Sequence, residues 1–374
     1  MIRILHVVDS MNRAGQETFI MNVYRNIDRS QFQFDFIQFQ KDPADYDAEI
    51  LELGGRIYHA TPKGQGLRQS MQEIKHIVAE GGYKVVHRHF SNASMVFELF
   101  AAKRGGASCL IAHSHSSSSN NKSTHRLLRR PLYRVADWHL ACAEDAGLWM
   151  FGDRAFQIIP NGIDTDMFKY NENDCIKVRD ELDISPEQMV FGHVGRFSEV
   201  KNHSFILETF KEIVAEVPDA QLILVGDGPL RPAMEQWCEL HQLKSHVHFL
   251  GVRSDIARIV SAMNCFLMPS LYEGLPVTLV EAQSSGLPCL IADTITADIK
   301  LTDCVEFLNL DESPRVWAIK AIEMAMWPRI DTTEAIRKSG YDIRDVARAL
   351  QTVYAGAHAP VGTKKVKAKK AETK

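Results

Sequence analysis

The sequence predicts an α/β protein, and three observations lead to that prediction. Short, continuous apolar runs recur along the chain, as in Ile2–Val8, Gln221–Val225 and Cys265–Met268, and such runs are typical of strands buried on both faces. Segments of helical length separate these runs, and several of them end at glycine or proline. The chain has 374 residues, which is long for one ordinary core, so the repeated alternation predicts two domains of parallel sheet covered by helices.

The composition excludes several classes of protein. A net charge of -4 argues against general nucleic-acid binding. The seven cysteines are scattered without a C-x-x-C pair, which favours a reducing cytoplasm over a disulfide scaffold. No apolar run approaches the ~20 residues of a membrane-spanning helix, and the opening segment MIRILHVVDS does not have the pattern of a signal peptide. We therefore expect a cytoplasmic protein whose contact with a membrane, if it has one, is peripheral.

The first strand, Ile2–Val8, leads into a loop that contains Gly15 and then into a helix. A glycine at such a turn lets the backbone come close to a ligand. The G-x-G-x-x-G fingerprint of dinucleotide oxidoreductases is absent, which disfavours that class. A later strand, Val85–His89, carries histidines at alternate positions, which share one face of a strand. No cysteine or carboxylate completes a ligand set nearby in the sequence, so we expect no metal site.

The next strand is predicted over residues 109–112, with His113 directly after its end. Ligands of doubly wound sheets lie at the carboxyl ends of strands, where a histidine can donate a hydrogen bond to them. The polar run that follows, residues 116–121, is interpreted either as a mobile acceptor-side loop or as a plain Ser/Asn linker. The basic segment 125–134 has an apolar stripe and either lies on an anionic membrane or forms a solvated helix face that breaks at Pro131.

The second half begins after a charged segment, residues 163–183, which we expect to be a linker because it has turn formers and few apolar residues. A strand over residues 189–194 is followed by Arg196, and Lys201 then opens a helix. An arginine and a lysine on one strand-end loop provide the cations that a nucleotide diphosphate requires.

The stretch over residues 269–292, PSLYEGLPVTLVEAQSSGLPCLIA, has the pattern of a loop, a helix and a buried strand. Its carboxylates Glu273 and Glu281 are suited to accept hydrogen bonds from sugar and ribose hydroxyls. Free backbone N–H groups at the start of the helix are suited to an anion. The residues of that start are Gly274, Leu275, Pro276 and Val277.

Several motifs together resemble those of the retaining, nucleotide-sugar-dependent glycosyltransferases of family 4, which have the GT-B fold. They are EGLP with the second glutamate eight residues after the first, the SGLP strand entry, GRFSEVKN and IPNGID. The resemblance implies two Rossmann-like domains that face each other across a cleft. Its expected boundaries are an acceptor-side domain over residues 1–165 and a donor-binding domain over residues 166–340. A helix over residues 341–358 is expected to cross back to the first domain, and residues 359–374 are expected to be a disordered, lysine-rich tail.

The resemblance implies transfer of a sugar from a nucleotide-sugar, which we expect to be a UDP-sugar, to an acceptor hydroxyl with retention at the anomeric carbon. Lys201 and Arg196 would stabilise the leaving diphosphate, helped by backbone N–H groups of residues 274–277 and of Gly15. The family often has two glycines at the latter position, where this chain has Ala14-Gly15. Glu281 would bind the ribose hydroxyls. Glu273 and His113 would contact the donor sugar. The family needs no metal and no cofactor, since the nucleotide-sugar is a substrate.

The stretches HSHSSSSNNK and LWMFG to IPNGID are most similar to those of family members that make exopolysaccharides and capsules. That similarity implies a saccharide acceptor, lipid-linked, at the inner face of the cell membrane. Two alternatives remain open. A nucleotide-sugar epimerase with the same fold would release a rearranged sugar without an acceptor. A non-catalytic nucleotide-binding module would lack Arg196, Lys201 or the glutamate pair, all of which are present.

Overall fold

The computed structural model describes residues 1–119 and 121–356, which form two compact units. The first unit contains Met1–Gly162 together with residues 343–356, and the second is Ile163–Asp342. These divisions lie within three residues of the boundaries expected from the sequence. Asn120 and the predicted tail over residues 359–374 lie outside the described residues.

The first unit is built on a seven-stranded parallel sheet with the order β3-β2-β1-β4-β5-β6-β7. The strands are β1 (Ile2–Val8), β2 (Phe32–Gln38), β3 (Ile57–His59), β4 (Val85–His89), β5 (Cys109–Ser114), β6 (Trp138–Ala141) and β7 (Gln157–Ile158). The strand order reverses between β1 and β4, which makes the crevice beyond their carboxyl ends the natural place for a ligand.

The second unit has a six-stranded parallel sheet with the order β10-β9-β8-β11-β12-β13. The strands are β8 (Val190–Val194), β9 (Gln221–Val225), β10 (Val247–Phe249), β11 (Cys265–Met268), β12 (Cys289–Ala292) and β13 (Val305–Leu308). Here the order reverses between β8 and β11, so the corresponding crevice lies beyond the ends of these two strands.

Helices cover both faces of each sheet. In chain order they are α1 (Gly15–Asn26), α2 (Asp47–Glu52), α3 (Lys63–Gly81), α4 (Val96–Gly105), α5 (Lys122–Val135), α6 (Glu144–Phe151), α7 (Glu172–Glu181), α8 (His203–Glu216), α9 (Arg231–Leu240), α10 (Ile256–Ser261), α11 (Val277–Ser284), α12 (Pro314–Ala325), α13 (Thr333–Lys338) and α14 (Ile343–Tyr354). Each sheet separates two apolar clusters, and α14 contributes Val346, Leu350 and Tyr354 to one cluster of the first unit. No helix in the described ranges has the length and apolarity that crossing a membrane requires.

Two local predictions were wrong. The helix α5 continues through Pro131 instead of breaking there. Pro131 is exposed, as is Leu127 one turn before it, so water can solvate the carbonyl group that the proline leaves without a partner. The expected linker over residues 163–183 contains α7, whose Arg179 donates to the carbonyl oxygen of Ala262 at 3.1 Å and to Asn264 Oδ1 at 2.8 Å.

Candidate active site

The switch point of the second unit brings together the loops that follow β8 and β11. Leu271 donates its backbone N–H to the carbonyl oxygen of Val200 at 2.8 Å, and Asn202 donates its side-chain amide to the carbonyl oxygen of Pro269 at 3.1 Å. These bonds tie the Lys201 loop to the Glu273 loop. Two motifs separated by some seventy residues in the sequence are therefore neighbours because their strands pair in parallel.

Lys201 and Glu273 form an ion pair at this point, with Nζ 2.5 Å from Oε1. Their side chains are only 18% and 14% exposed, so water screens the pair less than it screens a surface pair. Lys201 was predicted to open a helix, and this was wrong. It ends a 3-10 turn, and the left-handed backbone of Asn202, with φ of 55°, separates that turn from α8. The ammonium group is thereby held at the carboxyl end of β8.

The turn after β9 supports the Arg196 loop from the other side. A Cβ atom on Gly226 would lie 2.1 Å from the carbonyl oxygen of Gly195, and one on Gly228 would lie 2.4 Å from that of Phe197. Both glycines also have positive φ, +132° and +158°, so only glycine fits this turn. Arg196 itself is exposed and makes no hydrogen bond or ion pair with any residue that the structure describes.

The helix α11 starts directly behind the Glu273 loop. Its N-cap is Pro276, which supplies no side-chain cap, and a Cβ at Gly274 would meet nothing within 4 Å. The N-cap therefore offers no side-chain acceptor to the first backbone N–H groups of α11, although Leu279 donates its N–H to the carbonyl oxygen of Pro276 at 3.1 Å. Anion binding by residues 274–277, Leu275 among them, stays a prediction.

Glu281 lies on the second turn of α11 and is 7% exposed. Burial raises the pKa of its carboxyl group to about 7. No group in residues 1–119 or 121–356 donates a hydrogen bond to it. A buried carboxyl group without a donor is unfavourable for the fold alone, and such groups occur preferentially at functional sites.

In the first unit, Gly15 is the first residue of α1, at the switch point between β1 and β4. A Cβ at this position would meet nothing within 4 Å, so the packing of the described residues does not itself require a glycine. Glu17, in the first turn of α1, was not singled out by the sequence. Burial, with a smaller contribution from the charge of Asp9, raises the pKa of its carboxyl group to about 7.

His113 was expected after the end of β5, and this was wrong. It lies inside the strand, because it pairs with His89 on β4 and with Leu140 on β6. Its side chain is 0% exposed, and its Nδ1 lies 3.2 Å from His87 Nε2. His115, two residues later on the same face, is only partly buried.

His113 belongs to a cluster of five histidines, which we call the histidine cluster: His6, His87, His89, His113 and His115. His89 contacts His6 at 3.0 Å and His115 at 2.9 Å through ring nitrogens. Burial keeps the pKa of all five imidazoles low, so they are neutral and able to bind a metal.

Two triplets of the histidine cluster have ligand atoms within 4.8 Å of one another, His6 with His87 and His89, and His89 with His113 and His115. Residues close in sequence to His87 and His89 do not complete these ligand sets. The remaining histidines come from neighbouring strands, at positions that the matching HRH and HSH patterns of β4 and β5 could have indicated.

Comparison with known proteins places this chain in a family. The family described as Glycosyltransferase Family 4 matches residues 13–167, and that described as Glycosyl transferases group 1 matches residues 188–321. The chain is 38% identical to EpsF of Bacillus subtilis (strain 168), which is named as a glycosyltransferase, over 369 residues that cover 94% of this chain and 96% of EpsF.

Two further proteins are similar over most of their length. One is the UDP-Gal:α-D-GlcNAc-diphosphoundecaprenol α-1,3-galactosyltransferase of Escherichia coli, 28% identical over 311 residues, or 78% of this chain and 79% of that protein. The other is the crystal structure of Anabaena Alr3699/HepE in complex with UDP-glucose, with a TM-score of 0.76, 18% identity and coverage of 95% of this chain and 100% of HepE. The chain therefore belongs to the family 4 glycosyltransferases and has their GT-B fold of two Rossmann-like domains.

Proposed function

We propose that this glycosyltransferase transfers a sugar from a UDP-linked donor to a hydroxyl of a lipid-linked saccharide, with retention and without a metal ion. One observation supports the proposed donor. Lys201, Glu273 and the uncapped start of α11 lie together at one switch point. Cationic, anionic and N–H groups there match a diphosphate that is joined to a sugar and a ribose.

Lys201 and Arg196 are the proposed electrostatic catalysts. When the bond between sugar and diphosphate breaks, negative charge develops on the diphosphate, and preorganised cations lower the barrier to that step. Glu273 holds Lys201 in place before the donor binds. Arg196 has no partner among the described residues and is available to phosphate oxygens. These two cations take the role that a metal ion has in other transferases.

Two glutamates are proposed to recognise the donor. Glu281 would accept hydrogen bonds from the ribose hydroxyls, which satisfy the buried carboxyl group. Glu273 would contact the donor sugar with the oxygen atom that Lys201 leaves free. Gly15 in the first unit would supply a backbone N–H to the phosphates.

His113 is the proposed imidazole contact to the donor sugar. Its Nε2 has no hydrogen-bond partner among the described residues, although it is fully buried. His115 is partly exposed and shares the same face, so it offers the more direct route. Alanine variants of the two residues separate these roles. Replacing the histidine that touches the sugar should lower turnover while the donor still binds normally, and replacing the other should not.

The proposed acceptor is supported by the names of similar proteins. The E. coli galactosyltransferase is named for a UDP-sugar donor and for a saccharide on diphosphoundecaprenol, and we propose an acceptor of the same class for this chain, in exopolysaccharide or capsule synthesis. We also propose peripheral contact with the inner face of the cell membrane through the basic helix α5, on which Leu127 is 76% exposed.

The proposal is tested by incubating the purified protein with single UDP-sugars, EDTA and lipid-linked saccharides extracted from cell membranes. We expect one UDP-sugar to be consumed, and NMR of the product to show the anomeric configuration of the donor. Glycosylation of soluble acceptors in preference to lipid-linked ones would contradict the acceptor class. Release of a rearranged UDP-sugar without any acceptor would instead favour an epimerase.

A further inference from the structure

A pocket lined by four arginines lies in the first unit, between the middle of α5 and the loop that follows α6. Its volume is 510 Å³, and we call it the arginine pocket. The residues that line it are Arg126, Arg129 and Arg130 of α5 with Gly152, Asp153 and Arg154 of the loop. Four positive charges thus face one negative charge.

The arginines of the pocket make no ion pair with any described residue, although such pairs are common elsewhere in the chain. Arg3 pairs with Asp35 at 2.5 Å, and Arg25 pairs with Glu49 at 2.6 Å. Asp153 lines the arginine pocket but lies beyond ion-pair distance of its cations. The fold therefore gathers positive charge here without an ion-pair partner among the described residues, and such a concentration of positive charge attracts anions.

Arg129 shows this most clearly. One guanidinium nitrogen donates to the carbonyl oxygen of Leu148 at 3.1 Å, whereas its Nε is buried and has no partner among the described residues. Burial is the main cause of a lowered pKa of Arg129; the charges of Arg154 and Arg126 lower that pKa further, and the charge of Asp153 partly offsets them. These repulsions would be relieved by a bound polyanion.

Gly152 makes room for one of the arginines in this pocket. Its φ is +66°, and a Cβ there would lie 2.2 Å from Nη2 of Arg129. The glycine therefore leaves the space that the Arg129 guanidinium occupies. On the other side, Arg154 lies over the ring of Tyr133 at 5.2 Å and donates to the carbonyl oxygen of Phe151 at 3.2 Å, which fixes its orientation.

We propose that the arginine pocket binds the diphosphate that links the acceptor saccharide to its lipid. This inference rests on the proposed function and adds the residues that hold the acceptor. Guanidinium groups bind phosphate oxygens in pairs of parallel hydrogen bonds, and several of them suit a diphosphate better than a single phosphate. Leu127, 76% exposed beside Arg126, is placed to contact the first carbons of the lipid.

The position along the chain is consistent with this role. Arg126 lies one turn inside α5, roughly 6 Å from its start along the helix axis. That start follows His115 by seven residues, at the carboxyl end of β5. The arginine pocket thus lies on the helix that follows the carboxyl end of β5, the edge of the sheet where ligands of such folds bind.

The test measures binding of geranylgeranyl diphosphate and of inorganic pyrophosphate to the full chain by calorimetry. Saturating UDP is present so that the probes cannot enter the donor site. We expect wild-type protein to bind both, and the double variant Arg126→Gln/Arg129→Gln to bind at least about a hundredfold more weakly, since each lost charged hydrogen bond costs roughly tenfold or more. The matched control is Arg134→Gln, an exposed arginine of α5 outside the pocket, which should bind as wild type does.

The two probes distinguish the sources of the diphosphate. A lipid-linked ligand predicts that geranylgeranyl diphosphate binds more tightly than pyrophosphate and that Leu127→Ser removes the difference. Equal binding of the two probes would overturn the lipid assignment. Absence of binding to wild-type protein would overturn the assignment of the arginine pocket as a diphosphate site. An equal loss of affinity in Arg134→Gln would also overturn it, because the general positive charge of α5, and not the pocket, would then attract the anions.

Melting temperatures of the same proteins separate this inference from the proposed function. UDP should raise the melting temperature of the double variant as much as that of wild type, because neither Arg126 nor Arg129 is among the proposed donor residues. A protein that responds to UDP but not to either diphosphate probe contradicts only the acceptor pocket. A protein that does not respond to UDP contradicts the proposed donor.

Discussion

Glu281 should make both folding and nucleotide binding depend on pH. Its carboxyl group is buried on α11 without a described hydrogen-bond donor, and burial raises its pKa from 4.5 to about 7. A carboxyl group whose pKa is higher in the folded protein than in the unfolded chain favours folding when it is protonated. The stability that this group contributes is therefore present below pH 4.5 and is lost as the pH rises to about 7.

The size of this effect follows from the shift. Ionisation of Glu281 should lower the free energy of unfolding by about 2.5 kcal/mol between pH 5 and pH 8. The variant Glu281→Gln cannot ionise, so its stability relative to wild type should rise by that amount over the same range. Urea unfolding at both pH values measures the difference, and Glu208→Gln, an exposed glutamate of α8, is the control.

Ribose hydroxyls that donate to Glu281 should return its pKa toward the ordinary value. UDP binding would then release about half a proton at pH 7 and would weaken about tenfold from pH 8 to pH 6. Calorimetry in buffers of different ionisation enthalpy measures the release, and Glu281→Gln should remove this part of the pH dependence. The reasoning is refuted if the variant keeps the wild-type pH profiles of both stability and UDP affinity.

Three other outcomes are expected. Lys201→Ala should lower turnover by roughly a hundredfold or more, because the developing charge on the diphosphate loses a preorganised cation; Lys211→Ala on the exposed face of α8 is its control, and a wild-type rate in Lys201→Ala would contradict the role. Transfer should proceed at full rate in EDTA, and restoration by added Mg²⁺ or Mn²⁺ of activity lost in EDTA would contradict a metal-free donor site. Gly228→Ala should lower the stability of the second unit by about 1–3 kcal/mol in urea unfolding, because a Cβ would lie 2.4 Å from the carbonyl oxygen of Phe197; an unchanged midpoint would mean that the turn can relax.

The strands were predictable where both faces are buried. Cys265–Met268 and Cys289–Ala292 are continuous apolar runs bounded by Pro269 and Pro288, and the structure places strands over the same residues. The switch-point site was predictable for the same reason, since the residues that follow parallel strands meet at one edge of a sheet. Lys201 and Glu273 are an example.

Elements held by distant contacts were not predictable. The charged segment that forms α7 lacks a clear apolar stripe, and its Arg179 is satisfied by the carbonyl group of Ala262 and the side chain of Asn264. These partners are more than eighty residues away in sequence. The histidine cluster was missed for a similar reason, because its members lie on β1, on β4, and on or directly after β5, and only the strand order brings His6 beside His89.

The most direct test of the account is a thermal-shift measurement of the purified protein in EDTA with UDP, GDP, ADP and NAD in turn. A ligand at about a hundred times its dissociation constant adds about 2.7 kcal/mol of stability, which is a readily measured increase in melting temperature. The account predicts an increase with UDP, reduced in Lys201→Ala and in Glu281→Gln. An increase with NAD alone, or with none of the four, would contradict the assignment of the second unit as the site of a nucleotide-sugar donor.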